Sequence, residues 1–99
     1  MASRLQLQSL LETITARVYF QPPTNISLQY PCIIYRRDSA KSEFANNEKY
    51  RYTKRYQVTV IDRDPDSVLP DKVAALPLCA FDRFYTADGL NHDVYNLFF

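Results

Sequence analysis

From Tyr50 to Ile61 the side chains alternate with a period of two. Tyr50, Tyr52, Lys54, Tyr56, Val58 and Val60 fall on one face, and Arg51, Thr53, Arg55, Gln57, Thr59 and Ile61 fall on the other. That period predicts a long β-strand. The first face turns apolar toward Val60, which places that end of the strand over a core. Asp62-Arg63-Asp64-Pro65-Asp66-Ser67 then stops it.

Upstream, Leu7, Leu10, Leu11 and Ile14 recur at i, i+3, i+4 and i+7 behind Ser3. This predicts an amphipathic helix over residues 4–15 with Ser3 as its N-cap. Gln6, Gln8 and Glu12 take its polar side. A helix that short is marginal alone in water, so its stripe must dock, and the sheet is the nearest surface. Residues 17–20 read as a short extended piece, and the prolines that follow break regular structure. Tyr30-Pro31 opens a first long strand, residues 32–37. Residues 38–49 form a polar, turn-rich excursion with Asn46-Asn47 near its end and Phe44 as its one large apolar side chain.

After the long strand, Leu69, Val73 and Leu76 make the stripe of a second helix, residues 68–76. Ser67 or Asp66 can cap it, Pro70 sits in its first turn and Pro77 ends it. A hairpin closes the chain, turning at Asp88-Gly89. A two-residue turn there sets Ala87 against Leu90, Tyr85 against His92, Arg83 against Val94, Phe81 against Asn96 and Cys79 against Phe98. Large apolar groups fall on both faces of this hairpin. The second face is therefore expected to be covered too, by a helix, a loop or another subunit. The fold class is α+β: one domain spanning residues 1–99, with a four-stranded, mostly antiparallel sheet flanked by two helices.

Composition narrows the function more than the fold. Twelve basic and eleven acidic residues nearly cancel in 99, so global charge argues neither for nor against nucleic acid. Eight Tyr and six Phe are large contact surfaces, and a single Gly excludes a glycine-rich phosphate loop. Cys32 and Cys79 lie in apolar strand contexts, where small buried thiols are favoured over a disulfide. No secretory signal is expected, and no apolar run has the roughly 18–20 residues of a membrane span.

Candidate chemistry is sparse. His92 is the only histidine, and no nucleophile stands in a triad-like setting with it, so a structural role is favoured. Asp62, Asp64 and Asp66 begin like a calcium loop, but Ser67 and Val73 stand where that loop needs Gly and Glu. Strand termination and helix capping explain the cluster better. Neither cofactor nor metal is expected. Arg51, Lys54 and Arg55, joined by Arg36 and Arg37 if the first two strands pair, form a basic patch among tyrosines. Such a patch could face single-stranded nucleic acid. The competing reading is a solvated or subunit-facing strand end. Phe44 could equally fold back on its own sheet or anchor a subunit contact with Tyr50 and Tyr52.

Residues 50–76, the Phe44-Ala45-Asn46-Asn47 segment and the closing Asp88-Gly89-Leu90-Asn91-His92-Asp93-Val94-Tyr95-Asn96-Leu97-Phe98-Phe99 hairpin resemble the tail-completion, or tail-terminator, proteins of long-tailed bacteriophages. The opening helix fits the same plan. The resemblance implies a homo-oligomeric ring, usually hexameric, at the head-proximal end of the tail tube. Its partners would be the tail tube protein and a head connector or adaptor protein, with genomic DNA passing through the lumen. It implies a virion location in the tail–neck region, host cytoplasm during assembly and no membrane. Arg36, Arg51, Lys54 and Arg55 would be tolerated near a lumen that DNA traverses. A head–tail adaptor ring and a small nucleic-acid-binding domain are the alternatives; an enzyme is the least favoured class.

Overall fold

The computed structural model describes residues 3–23, 26–45 and 48–99, excepting the side chains of residues 41, 43–45 and 48–52. Helix α1 (Arg4–Glu12) is followed by strands β1 (Val18–Phe20), β2 (Cys32–Ala45) and β3 (Glu48–Asp62). Helix α2 (Leu69–Ala74) and strands β4 (Cys79–Ala87) and β5 (Leu90–Phe98) complete the chain. The strands form one sheet in the order β1-β2-β3-β5-β4. The architecture is α+β, as expected, but with five strands rather than four. The additional strand is the short piece at Val18–Phe20, which pairs parallel to β2 with Val18 opposite Ile33 and Phe20 opposite Tyr35. All other pairings are antiparallel.

Helix α1 begins where Ser3 predicts. The Ser3 hydroxyl accepts from the Gln6 amide at 3.2 Å, and Gln6 Oε1 accepts from the Ser3 amide at 2.8 Å. This reciprocal capping box satisfies two of the amides that a helix start leaves unpaired. The helix ends at Glu12, three residues early, where the Thr13 hydroxyl turns back to donate to the Leu10 carbonyl at 2.6 Å. Leu7 and Leu11 are fully buried, and Ile14 packs on the same core from beyond the helix end. Gln8 departs from its expected polar role. Its Oε1 accepts from the Tyr35 hydroxyl while its Nε2 donates to the Val18 carbonyl at 3.2 Å. One glutamine thus ties α1 to both β1 and β2.

The core lies on one sheet face. Ile33 and Tyr35 of β2, Tyr56, Val58 and Val60 of β3, and Tyr95 and Leu97 of β5 meet Leu7 and Leu11 of α1 and Val73 of α2. The alternation of β3 is therefore read correctly, with its apolar face over the core. Both helices sit on this side.

Helix α2 is shorter than predicted, and its start is built by the acidic run before it. Asp62 Oδ1 accepts from the Asp64 amide at 3.1 Å, and Asp64 Oδ1 accepts from the Asp66 amide at 2.9 Å. Neither Ser67 nor Asp66 caps the helix as expected: Val68 stands at the N-cap position without a side-chain cap, and the Ser67 hydroxyl accepts from the Leu69 amide at 3.3 Å in a turn just ahead of it. Short acidic side chains that bond the backbone two residues on make successive turns without a glycine. Tyr95 then fastens the helix, its hydroxyl donating to the Pro70 carbonyl at 3.1 Å.

The turn of the last hairpin is of the predicted primed kind. Asp88 and Gly89 both take positive φ, at 55° and 74°. Ala87 pairs with Leu90, Tyr85 with His92 and Arg83 with Val94, as counted from the sequence. Beyond Arg83 the count fails: Phe81 pairs with Tyr95 and Cys79 with Leu97, not with Asn96 and Phe98. The register shifts between Phe81 and Arg83, where β4 carries one residue more than its partner. Such a bulge returns Phe81 to the core-side row beside Tyr95, their rings edge-on at 5.6 Å.

Candidate assembly interface

The largest departure from the sequence reading is the segment 38–49. It is not a turn-rich excursion: β2 runs on to Ala45 and β3 begins at Glu48. The pairing continues through Ala40 with Lys54, Ser42 with Tyr52 and Ala45 with Glu48. Serine, lysine and glutamate have low strand preference. A partner strand in register overrides it, because each added pair satisfies backbone groups. Strand β5 accompanies β3 only from Arg55 to Asp62, and β1 accompanies β2 only from Ile33 to Tyr35. Residues 39–45 and 48–54 therefore form a two-stranded ribbon with no third strand among the described residues. It accounts for the elongated outline of 51 × 25 × 23 Å.

The base of the ribbon is clamped. Arg55 spans to Asp38 through two hydrogen bonds, Nε to Oδ1 at 3.1 Å and Nη2 to Oδ2 at 3.3 Å. Asp38 occupies the register shift between Arg37 and Ser39. The Phe99 amide donates to the Lys54 carbonyl at 3.0 Å, so the end of β5 is tied to β3 where the ribbon begins.

The predicted contact residues Phe44, Tyr50 and Tyr52 and the basic Arg51 fall on this ribbon, and their side chains lie outside the described residues. In register Phe44 stands opposite Lys49, Tyr52 opposite Ser42 and Arg51 opposite Glu43. Arg36 is exposed and donates through Nε to Gln57 Oε1 at 3.0 Å. Arg36 and Arg55 belong to the face away from the core, whereas Lys54 alternates onto the row of Tyr56. The expected basic patch is thus divided between the two sides of the sheet.

Sequence reading missed the other end of the sheet. Strand β4 is an edge, exposed from Ala80 to Ala87, with Phe81 59%, Phe84 53% and Tyr85 42% accessible. The expectation that the hairpin's second face is covered is met only in part. Cys32, Ile61 and Val94 are buried on that face, but among the described residues no helix lies over it and β4 is open. Phe84 lines a cleft of about 410 Å³ together with Asp62, Asp66, Asp71, Asn91 and Asp93. Burial, reinforced by nearby Asp71, pushes the Asp93 carboxyl above its ordinary range, while His92 opposes the shift. The sequence signal for this cleft was the acidic run beside α2, which the capping argument absorbed.

His92 is held by its surroundings. Its ring stacks on Tyr85 at 4.5 Å and 12°, and Nδ1 lies 3.2 Å from the Leu90 carbonyl oxygen. Among the described residues, no three His, Cys, Asp or Glu side chains converge in a metal-binding arrangement. Cys32 and Cys79 are free thiols on β2 and β4, strands that β3 and β5 separate. At about 4.8 Å per strand, that spacing exceeds the reach of a disulfide. No described helix is long and apolar enough to cross a membrane.

No protein-family model, no curated protein and no solved structure matches this chain.

Proposed function

We propose that the chain is a structural, non-catalytic subunit of a closed ring that ends the tail tube of a long-tailed bacteriophage and joins it to the head connector. The ring is hexameric in this reading and sits in the tail–neck region of the virion. The observation that carries it is the two-stranded ribbon of residues 39–45 and 48–54. A two-stranded β-ribbon is marginal alone in water, so a ribbon of this length is suited to lie on a neighbouring molecule. The likeness of residues 44–47, 50–76 and 88–99 to tail-terminator proteins supplies the kind of neighbour. Phe44, Tyr50 and Tyr52 then belong to the contact between subunits or with the tube. Arg36 and Arg55 already hold Gln57 and Asp38, which favours weak contact with DNA in transit over a dedicated nucleic-acid site.

Negative-stain imaging of the purified protein with isolated tail tubes tests this reading. Rings capping one end of each tube are expected. Binding to emptied heads but not to tubes would move the assignment to a head–tail adaptor ring. Sub-micromolar, salt-resistant binding to single-stranded DNA without either would favour a nucleic-acid module.

A further inference from the structure

The two ends of the sheet carry opposite charge. The ribbon strands, residues 39–45 and 48–54, carry four cationic and two anionic side chains; residues 62–72 and 88–93 together hold six anionic and two cationic ones. Register makes this a separation in space. Strand β3 runs from the ribbon at Glu48 to the acidic cleft at Asp62, and Asn91, next to the β4–β5 turn, pairs with Asp62. At about 3.3 Å per residue, Glu48 and Asp62 lie roughly 46 Å apart. A chain near neutrality overall is therefore bipolar along its 51 Å axis.

The anionic pole adjoins the open edge of β4. Phe84 lines the acidic cleft, and Phe81 lies on the same flank. An exposed aromatic flank rimmed by carboxylates suits a cationic, elongated occupant. The chain's own ribbon has that character, but β3 holds it at the far end of the sheet, beyond reach of the cleft in the same molecule. We propose that the β4 flank and its acidic cleft receive the cationic β2–β3 ribbon of a second copy, joining copies head to tail. The two surfaces are unlike, so the contact is heterologous: it closes into a ring or continues as a filament. The inference rests on the ring reading only for closure; the pairwise contact stands on the charge and exposure pattern alone. The bulge between Phe81 and Arg83 interrupts the edge, so the contact is made by side chains rather than by an added strand.

Sedimentation of the full chain, with two charge-reversed variants, tests the contact. Arg51→Glu with Lys54→Glu reverses the ribbon; Asp64→Lys, Asp66→Lys and Asp71→Lys together reverse the cleft at three exposed positions. Circular dichroism and thermal midpoints establish that each variant folds. Wild type is expected to self-associate, more weakly as salt is raised, and each variant alone at least about tenfold more weakly. An equimolar mixture of the variants should recover association, because each ribbon then meets an oppositely charged cleft. Phe84→Ser gives a third variant that weakens association without altering charge. Wild type that remains monomeric at low salt up to about 1 mM overturns the proposal. So does a mixture that fails to recover while both variants are folded. Tube capping is scored separately. Self-association without capping leaves the contact standing and sinks the tail assignment; capping without self-association does the reverse.

Discussion

The Tyr95 hydroxyl donates to the Pro70 carbonyl at 3.1 Å, joining the middle of β5 to the first turn of α2. Pro70 has no amide of its own, so its region of the helix start leans on the sheet for order. Tyr95 is 4% accessible, and its ring also meets Phe81. Tyr95→Phe should keep the packing and lose the bond, at a cost of about 1 kcal/mol in denaturant unfolding. Hydrogen exchange should quicken in α2 more than in α1.

Stability should fall on the alkaline side. Burial raises the Cys32 thiol from 9.0 to about 11, with Arg17 opposing and Asp62 assisting. Burial raises the Tyr95 phenol from 10.0 to about 12, helped by Asp93. In both cases the unfolded chain gives up its proton first. Stability is therefore fully present below about pH 9 and declines as pH rises through 11 to 12. Thermal midpoints across that range should show the decline, and Tyr95→Phe should flatten its upper part.

The same burial should make Cys32 inert. A thiol with a value near 11 is about 0.03% thiolate at pH 7.5. Modification by a thiol reagent should be slow in native protein and complete on unfolding, with half-buried Cys79 reacting first. Rapid native labelling of Cys32 would show that β2 opens at its start.

The carboxylates at the end of β3 act on the backbone. Asp64→Ala removes the acceptor for the Asp66 amide and should cost about 1 kcal/mol, whereas Asp64→Asn should cost a few tenths. Calcium should leave the thermal midpoint of wild type unchanged. A metal-dependent rise lost in Asp64→Asn would contradict the turn-forming role.

On the ribbon, Phe44→Ala should leave the midpoint of the isolated subunit within about 1–2 °C while abolishing tube capping. A large drop in the isolated subunit would place Phe44 in the core instead.

Much of the fold was legible because single elements carried their own signals. Ser3 marked the start of α1, the alternation 50–61 marked β3 with its buried face, and Asp88-Gly89 marked the hairpin turn. What escaped was decided by pairing between distant segments. Val18–Phe20 is too short to announce a strand, and it becomes one by bonding parallel to Ile33–Tyr35. Residues 38–45 look like loop until β3 lies beside them. The bulge near Asp82 has no local signature, because Phe81 and Tyr95 choose it by packing. Gln8 looked solvent-facing, since a helical wheel does not show a tyrosine hydroxyl arriving from β2. The acidic cleft was hidden because its members come from β3, α2 and β5, and only the sheet brings Asp93 near Asp71.

The lone glycine sets a limit on how this sequence can drift. At Gly89 a Cβ would meet no heavy atom within 4 Å, so an alanine there would suffer only the backbone cost of a φ of +74°. That cost is on the order of 1 kcal/mol, far below that of a misplaced core residue. Natural variants should therefore show asparagine or aspartate at this turn far more readily than any insertion. An added residue would shift Tyr85 past His92 and send Phe81, Phe84 and Tyr85 each to the face it does not now occupy.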